Sequence, residues 1–181
     1  VDEEKAVHSV EEALAGARDI IAEWINENKL SRERVRNLFS REAFITSKPV
    51  KGKELEGILY QNYYDSGENI LKAPSHRILA MFRGEEEGFL RLSVEPDEEK
   101  AIGILDRIFI KANNDAASQV QMALKDSYKR LLQPSMETEM RQLAKQKADD
   151  EAIKVFAGNL RQLLLAAPLG QKNILALDPG F

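Results

Sequence analysis

The sequence contains no cysteine, only two histidines and no long apolar run. The absence of cysteine excludes disulfide bonds and thiolate metal sites. No apolar stretch approaches the roughly 20 residues of a membrane-spanning helix, and no signal segment opens the chain, so we expect no membrane partner. The net charge is −4, which argues against a dedicated nucleic-acid-binding domain, where a basic excess is expected. With 43% hydrophobic and 31% charged residues, the composition is that of a globular chain.

Motifs for catalysis and cofactor binding are also missing. His8 and His76 lie far apart in the chain and neither has the spacing of a metal ligand, and there is no Gly-rich phosphate loop or serine elbow. Asp178 follows an apolar segment, where a metal-binding carboxylate would lie in a ribonuclease-H-like sheet. Such a site needs several carboxylates from different strands, and a turn-forming Asp-Pro-Gly is the favoured interpretation. We therefore expect no enzyme activity, no cofactor and no metal.

The hydrophobic period changes in one stretch of the chain, between Pro74 and Pro96. Apolar residues first follow helical spacing, with Ser75 as the N-cap and Gly84 as the C-terminal stop. From Phe89 to Glu95 the period becomes two, which predicts a β-strand. A lone strand leaves backbone groups unpaired, so we predict that it pairs with the other strand candidate, Asn173–Leu177.

Helical spacing dominates the rest of the sequence. It predicts a mainly α fold of roughly eight helices with a helix-turn-helix-like unit and one or two short strands. Ser9 and Asn114 are expected to cap helices, and Trp24 is placed on the buried stripe of the first one. A second helix is predicted from Ser31, with the buried face Val35, Leu38 and Phe39. Pro49 and Gly52 place residues 47–53 in a loop, a helix is predicted over 53–64, and Pro134 is expected to restart a helix.

The last predicted helix has an apolar face that we expect to be buried. Its residues are Ala152, Val155, Phe156, Leu160, Leu163 and Leu164. If Phe156 is fully buried, its truncation to alanine should cost about 3–5 kcal/mol.

Charge is distributed unevenly along the chain. Between Ser31 and Lys53, seven basic residues are opposed by two acidic ones, a net charge of +5. The candidate nucleic-acid-binding residues in this segment are Arg32, Arg34, Arg36, Arg41, Lys48, Lys51 and Lys53. They form either a phosphate-contacting surface or a solvated helix face with a solvated loop. Residues 84–99 carry a net charge of −6, and we expect this acidic segment to be solvated or to face the basic one.

Several long runs resemble the bacterial Tex transcription accessory proteins, over about residues 10 to 181. They are SHRILAMFRGEEEGFLRLSVEPDEE, AASQVQMALKDSYKRLLQPSMETEMR, NLRQLLLAAPLGQKNILALDPGF, ALAGARDIIAEWI and KPVKGKELEG. The resemblance implies a fragment of a longer cytoplasmic protein, with residues 1–72 helical and helix-turn-helix-like, and 73–170 a central helical scaffold. Residues 171–181 would then be the first strand of a ribonuclease-H-like domain, which is generally regarded as non-catalytic in this family. A helix-hairpin-helix domain and an OB-fold RNA-binding domain are expected beyond Phe181.

The function implied by the resemblance is that of a non-catalytic helical scaffold that positions nucleic-acid-binding domains. Its expected partners in the full-length protein are nucleic acid, either RNA or DNA, and transcription machinery. The alternative is a helix-turn-helix module that binds nucleic acid directly through the basic segment 31–53.

Overall fold

A computed structural model describes residues 8–168 and 170–178 of the chain. The elements are helices α1 (Val10–Glu27) and α2 (Lys29–Glu42), strand β1 (Phe44–Pro49), a 3₁₀ helix (Ile58–Tyr63), strand β2 (Ser66–Asn69), α3 (Ser75–Glu86), β3 (Leu90–Glu95), α4 (Glu98–Phe109), α5 (Asp115–Ser127), a π-helical turn (Tyr128–Leu132) and α6 (Gln133–Leu164). Helices with a small antiparallel sheet confirm the predicted mainly α fold class.

Local capping signals explain where several helices begin. The Ser9 hydroxyl accepts a hydrogen bond from the backbone N–H of Glu12, and Asn114 caps α5 in the same way, as predicted. The second helix starts at Lys29, two residues earlier than predicted, because Asn28 is its N-cap. The predicted buried face of this helix, Val35, Leu38 and Phe39, is confirmed.

The sheet has the order β2–β1–β3, with both pairs antiparallel. The prediction of a loop over residues 47–53 is therefore wrong for its first part, because β1 is the central strand and continues to Pro49. The two-residue hydrophobic period is weak in β1. Its two inward positions carry Ile45 and Ser47, and only the first of these is apolar. The helix predicted over 53–64 is also wrong and is replaced by turns and the short 3₁₀ helix.

The predicted pairing of residues 89–95 with residues 173–177 is wrong, because β3 pairs with β1. Residues 172–178 have no regular secondary structure and are exposed. The other edge of β3 bonds side chains instead of a strand. Glu85 and Glu137 accept from the backbone N–H groups of Leu92 and Val94, at 3.2 and 3.1 Å. The Arg141 guanidinium donates to Leu92 O at 2.7 Å, so backbone groups on both edges of β3 have hydrogen-bond partners.

The prediction that Ser75 caps α3 and that Gly84 ends it is wrong, because Pro74 is the N-cap and Gly84 lies inside the helix. A Cβ at this position would be 2.7 Å from Leu90 Cδ1 and 2.9 Å from Tyr60 Cδ1. Glycine is therefore required for the close packing of α3 against its neighbours. The chain reverses at Gly88, which has a φ of +76°.

The core lies between the sheet and helices α2 to α6. Its large buried side chains include Phe39, Ile45, Ile78, Met81, Leu105, Tyr128, Leu132 and Met136. These residues come from both sides of the predicted boundary at residues 72 and 73, although the division into domains stays a prediction.

α5, the π turn and α6 form one continuous helical run from Asp115 to Leu164. Pro134 lies in the first turn of α6, as predicted, but the chain reaches it through the π turn and not through a break in the helical run. Proline has no N–H to donate, and its ring would clash with the carbonyl four residues earlier. The backbone N–H of Gln133 bonds to Tyr128 O, five residues back, and this wider turn accommodates the proline.

Trp24 of α1 and the predicted apolar face of the last helix are exposed. The Trp24 side chain is 68% exposed, and α1 instead buries Ala22 and Ile25. Phe156 is 67% exposed, so the prediction of a buried last helical face is wrong and its estimated cost of truncation does not apply. A period of 3.6 residues identifies an apolar face but does not show that the same chain covers it.

Among the helices of residues 8–168, none has the length and apolar character needed to span a lipid bilayer.

Candidate nucleic-acid interface

The structure divides the seven candidate residues into three groups. Two arginines of α2 contact α6, two others lie on the side of α2 that faces α4, and the three lysines lie on β1 and the turn after it.

Arg32 and Arg36 are engaged within the chain. Arg32 donates to Ser135 Oγ and to Asn26 Oδ1, both at 3.1 Å. Arg36 Nε lies 2.6 Å from Glu139 Oε1, and this hydrogen bond raises the pKa of the Arg36 guanidinium above its ordinary value. Because these contacts join α2 to α6, the two arginines contribute to the packing of helices.

Arg34 and Arg41 are seven residues apart and lie on one face of α2. They line a groove between α2 and α4, together with Arg107 of α4. All three side chains are exposed, and none of them has an ion pair within the part of the chain that the structure describes.

Lys48 lies on the outer face of the sheet, directly opposite Arg91 of β3. The same face carries Thr46 and Ser93, whose hydroxyls are 2.7 Å apart. Like charges placed opposite each other on adjacent strands repel, so an anion bound here would relieve an unfavourable contact.

Lys51 and Lys53 follow in the turn after β1. Val50 N–H donates to Phe89 O, which holds this turn beside the start of β3. The Lys53 ammonium lies 5.8 Å from the centroid of the Phe89 ring, a cation–π contact. Lys48, Lys51, Lys53 and Arg91 thus form a basic group at one end of the sheet, which we call the sheet-end cluster.

Arg91 is the residue that the sequence analysis missed. Counted along the chain, it lies in the acidic segment 84–99, where its charge is outnumbered. The two-residue period of β3 already placed it on the face opposite the buried Leu90 and Leu92. Only the pairing register of β1 with β3 shows that it meets Lys48.

The acidic segment lies beside the basic one, because β3 pairs with β1, and six of its seven acidic side chains are exposed. Two of its glutamates nevertheless have partners in other elements. Glu85 pairs with Arg141 at 2.6 Å. Glu87 accepts from the hydroxyl of Tyr60 at 2.7 Å, and burial together with this bond raises the pKa of that tyrosine. Glu85 and Glu87 therefore stabilise the packing of α3 against other elements.

The second candidate for chemistry, Asp178, is exposed and lies outside any helix or strand. Within residues 8–168 and 170–178, no three His, Cys, Asp or Glu side chains are grouped as a metal site.

Sequence comparison decides the family. The family described as Tex central region-like matches residues 1–156. The chain belongs to the Tex central region-like family. It is 39% identical to the uncharacterized protein YdcI of Bacillus subtilis, covering 100% of this chain and 26% of that protein. It is 37% identical to the transcriptional accessory protein Tex of Neisseria gonorrhoeae, covering 93% of this chain and 23% of that protein.

A human protein is similar to the chain at lower identity. The chain is 27% identical to the human S1 RNA-binding domain-containing protein 1, over 98% of this chain and 19% of that protein. The chain therefore spans about a quarter or less of the length of these relatives.

Proposed function

We propose that this chain is a non-catalytic helical scaffold within a cytoplasmic transcription accessory factor that binds nucleic acid. The scaffold would position nucleic-acid-binding domains relative to each other and to transcription machinery. The names of the relatives support the association with transcription and with RNA. The observation that carries the scaffold role is the exposed apolar half of α6.

The first half of α6 is fixed in the core. Met136, Met140, Ala144 and Ala148 are its buried residues, and they follow each other at helical spacing. Arg141 adds its bonds to β3 and Glu85. This half of the helix therefore cannot move independently of the sheet.

The second half of α6 extends beyond the core. Ile153, Phe156, Leu160 and Leu164 lie on one face and are between 41% and 74% exposed. At 1.5 Å per residue, positions 149–164 form a rigid arm about 24 Å long. Contiguous exposed apolar residues mark an interaction surface. We assign this arm to contact with the remaining length of the longer family proteins.

The arm is tested by charge placed on its apolar face. In a full-length family protein with this sequence as its central region, Phe156→Glu with Leu160→Glu should lower Tm, while the same pair should leave the Tm of this chain unchanged. Lys154→Glu, on the same arm, is the matched control for added negative charge. An equal, small effect of the double substitution in both proteins would refute the scaffold role of the arm.

The alternative function, direct binding of nucleic acid by the basic segment, is favoured by the sheet-end cluster. Each phosphate contact would add about one unit to the slope of log affinity against log salt concentration. Replacing Lys48, Lys51 and Lys53 together by glutamine would then remove up to about three units and weaken binding to all sequences alike.

Fluorescence anisotropy with single-stranded RNA and duplex DNA separates the two functions. For a scaffold, we expect affinity no better than about 10⁻⁴ M at physiological salt and no effect of the triple lysine substitution. The control replaces the exposed Lys125, Lys154 and Lys172 by glutamine, with the same change in net charge. Submicromolar binding that only the first triple variant loses would replace the scaffold proposal with direct recognition.

A further inference from the structure

A groove between α2 and α4 has both an apolar floor and free positive charge. It encloses about 510 Å³. The aliphatic lining residues are Leu30, Leu38, Ile104 and Ile108. Leu38 is nearly buried at 8% exposure, whereas Leu30 at the rim is 44% exposed. An apolar surface of this kind gains free energy when an apolar side chain displaces water from it.

The cations of the groove are Arg34, Arg41 and Arg107. Other arginines of this protein do find carboxylates, as Arg36 does with Glu139 and Arg141 with Glu85. Within residues 8–168 and 170–178 the three groove arginines have no such partner. Guanidinium groups bind carboxylates through two parallel hydrogen bonds, so their chemistry suits acidic side chains as well as phosphates.

The charges along the groove favour acidic side chains over a phosphate backbone as its ligand. Glu42 lines the groove itself and is already paired with Lys100 at 2.6 Å. Beyond Leu38 and Ile104 the walls carry Asp97 and Glu99 beside Lys100 and Arg107. A phosphate backbone carries charge along its whole length and would meet the carboxylates of Asp97 and Glu99, whereas a peptide can confine its acidic side chains to the end of the groove that carries the arginines. The arginines also line a concave surface, whereas a helix that reads duplex DNA must protrude into the major groove.

We infer that this groove binds an amphipathic segment of a partner protein. The leucine-type side chains of the segment would lie on Leu38 and Ile104, and its acidic side chains would bind Arg34, Arg41 and Arg107. This helix-in-groove mode uses the same apolar contacts and charge pairs as other peptide-recognition grooves. The inference is independent of the scaffold role, which depends on α6 and not on this groove.

The test uses a fluorescent peptide of about 15 residues, with leucines on one helical face and glutamates beside them in one half of its length. A second peptide has lysine in place of every glutamate. The protein variant replaces Arg34, Arg41 and Arg107 by glutamine, and the control replaces the exposed Arg83, Lys125 and Arg130 by glutamine. Circular dichroism checks that both variants keep the fold.

We expect the glutamate peptide to bind, and the groove variant to weaken this binding about tenfold, since three exposed charge pairs contribute a few tenths to 1 kcal/mol each. The control should stay within about twofold of the unchanged protein. A Leu30→Gln variant should also weaken binding, because it removes an apolar contact at the rim.

Three outcomes would overturn the inference. The first is no binding of the glutamate peptide below about 1 mM. The second is equal binding of the lysine peptide or equal weakening by the control variant. The third is tight binding of single-stranded RNA or duplex DNA that the groove variant loses, which would make the groove a nucleic-acid site.

Discussion

Replacing Arg141 with methionine removes the cation that joins α6 to the outer edge of β3. Its guanidinium donates to Leu92 O at 2.7 Å and to Glu85 and Glu137 at 2.6 and 3.0 Å. Burial lowers the pKa of Arg141, but the bonds to these two carboxylates more than offset this and leave the pKa above its ordinary value. The variant would leave the two carboxylates facing each other without a counter-charge.

The expected cost follows from how far this group is buried. Removing one partner from a fully buried ion pair costs about 3–5 kcal/mol. The side chains of Arg141 and Glu137 are each 25% exposed, and that of Glu85 is 34% exposed, so water screens part of the interaction. We therefore expect a loss of about 2–4 kcal/mol. For a chain of this size, that corresponds to a fall in Tm of roughly 5–15 °C.

Urea denaturation followed by circular dichroism measures this loss as a shift in midpoint at constant slope. Arg130→Met is the matched control, because Arg130 is 50% exposed and pairs with the surface residues Asp126 and Asp19. The control should change stability by no more than about 1 kcal/mol. Equal, small losses in both variants would refute the reasoning and show that the Arg141 pairs are screened like ordinary surface pairs.

Three further predictions concern packing and titration. In urea denaturation, Gly84→Ala should destabilise the protein by about 1–3 kcal/mol, because α3 has no room for a Cβ there. Gly103→Ala should instead stabilise α4 by up to about 1 kcal/mol, because a Cβ at this position would have no atom within 4 Å. Met140→Ala should lower the free energy of unfolding by about 2–5 kcal/mol, because this methionine is buried. Phe156→Ala, on the same helix, should lower it by about 0.5 kcal/mol or less, because this phenylalanine is exposed. Burial raises the pKa of Tyr128, so the folded state keeps the phenol proton to a higher pH than the unfolded chain. Stability should therefore fall as the pH rises above about 10, and Tyr128→Phe should flatten this fall in Tm measured between pH 9 and 11.

Features set by neighbouring residues were predictable from the sequence. The caps at Ser9 and Asn114 depend on a side chain and a backbone N–H three residues away. The strand at β3 follows from a two-residue period over six residues. The predicted partner of this strand, residues 173–177, was nevertheless wrong, because an unpaired strand edge indicates only that its backbone groups need hydrogen-bond partners. Here these partners are β1 on one side and the side chains of Glu85, Glu137 and Arg141 on the other.

The candidate site was predictable only in its composition. The sequence identified Lys48, Lys51 and Lys53 as part of a basic segment, but linear counting assigned Arg91 to an acidic one. Lys48 and Arg91 lie opposite each other because of the antiparallel register between β1 and β3. These strands are more than 40 residues apart, and no local pattern encodes their register. The groove beside α2 was missed for the same reason, since Arg107 comes from α4.

The sequence by itself thus determined the helical character of the chain, the position of β3, the buried face of α2 and the family resemblance. These depend on short-range spacing and on runs of residues, both of which are present in the linear chain. Only the tertiary structure decided that residues 44–49 form the central strand, that Trp24 and Phe156 are exposed, and which arginines are paired. Burial and pairing depend on which distant elements pack together, and the apolar face beyond Ala148 has no covering element among the residues that the structure describes.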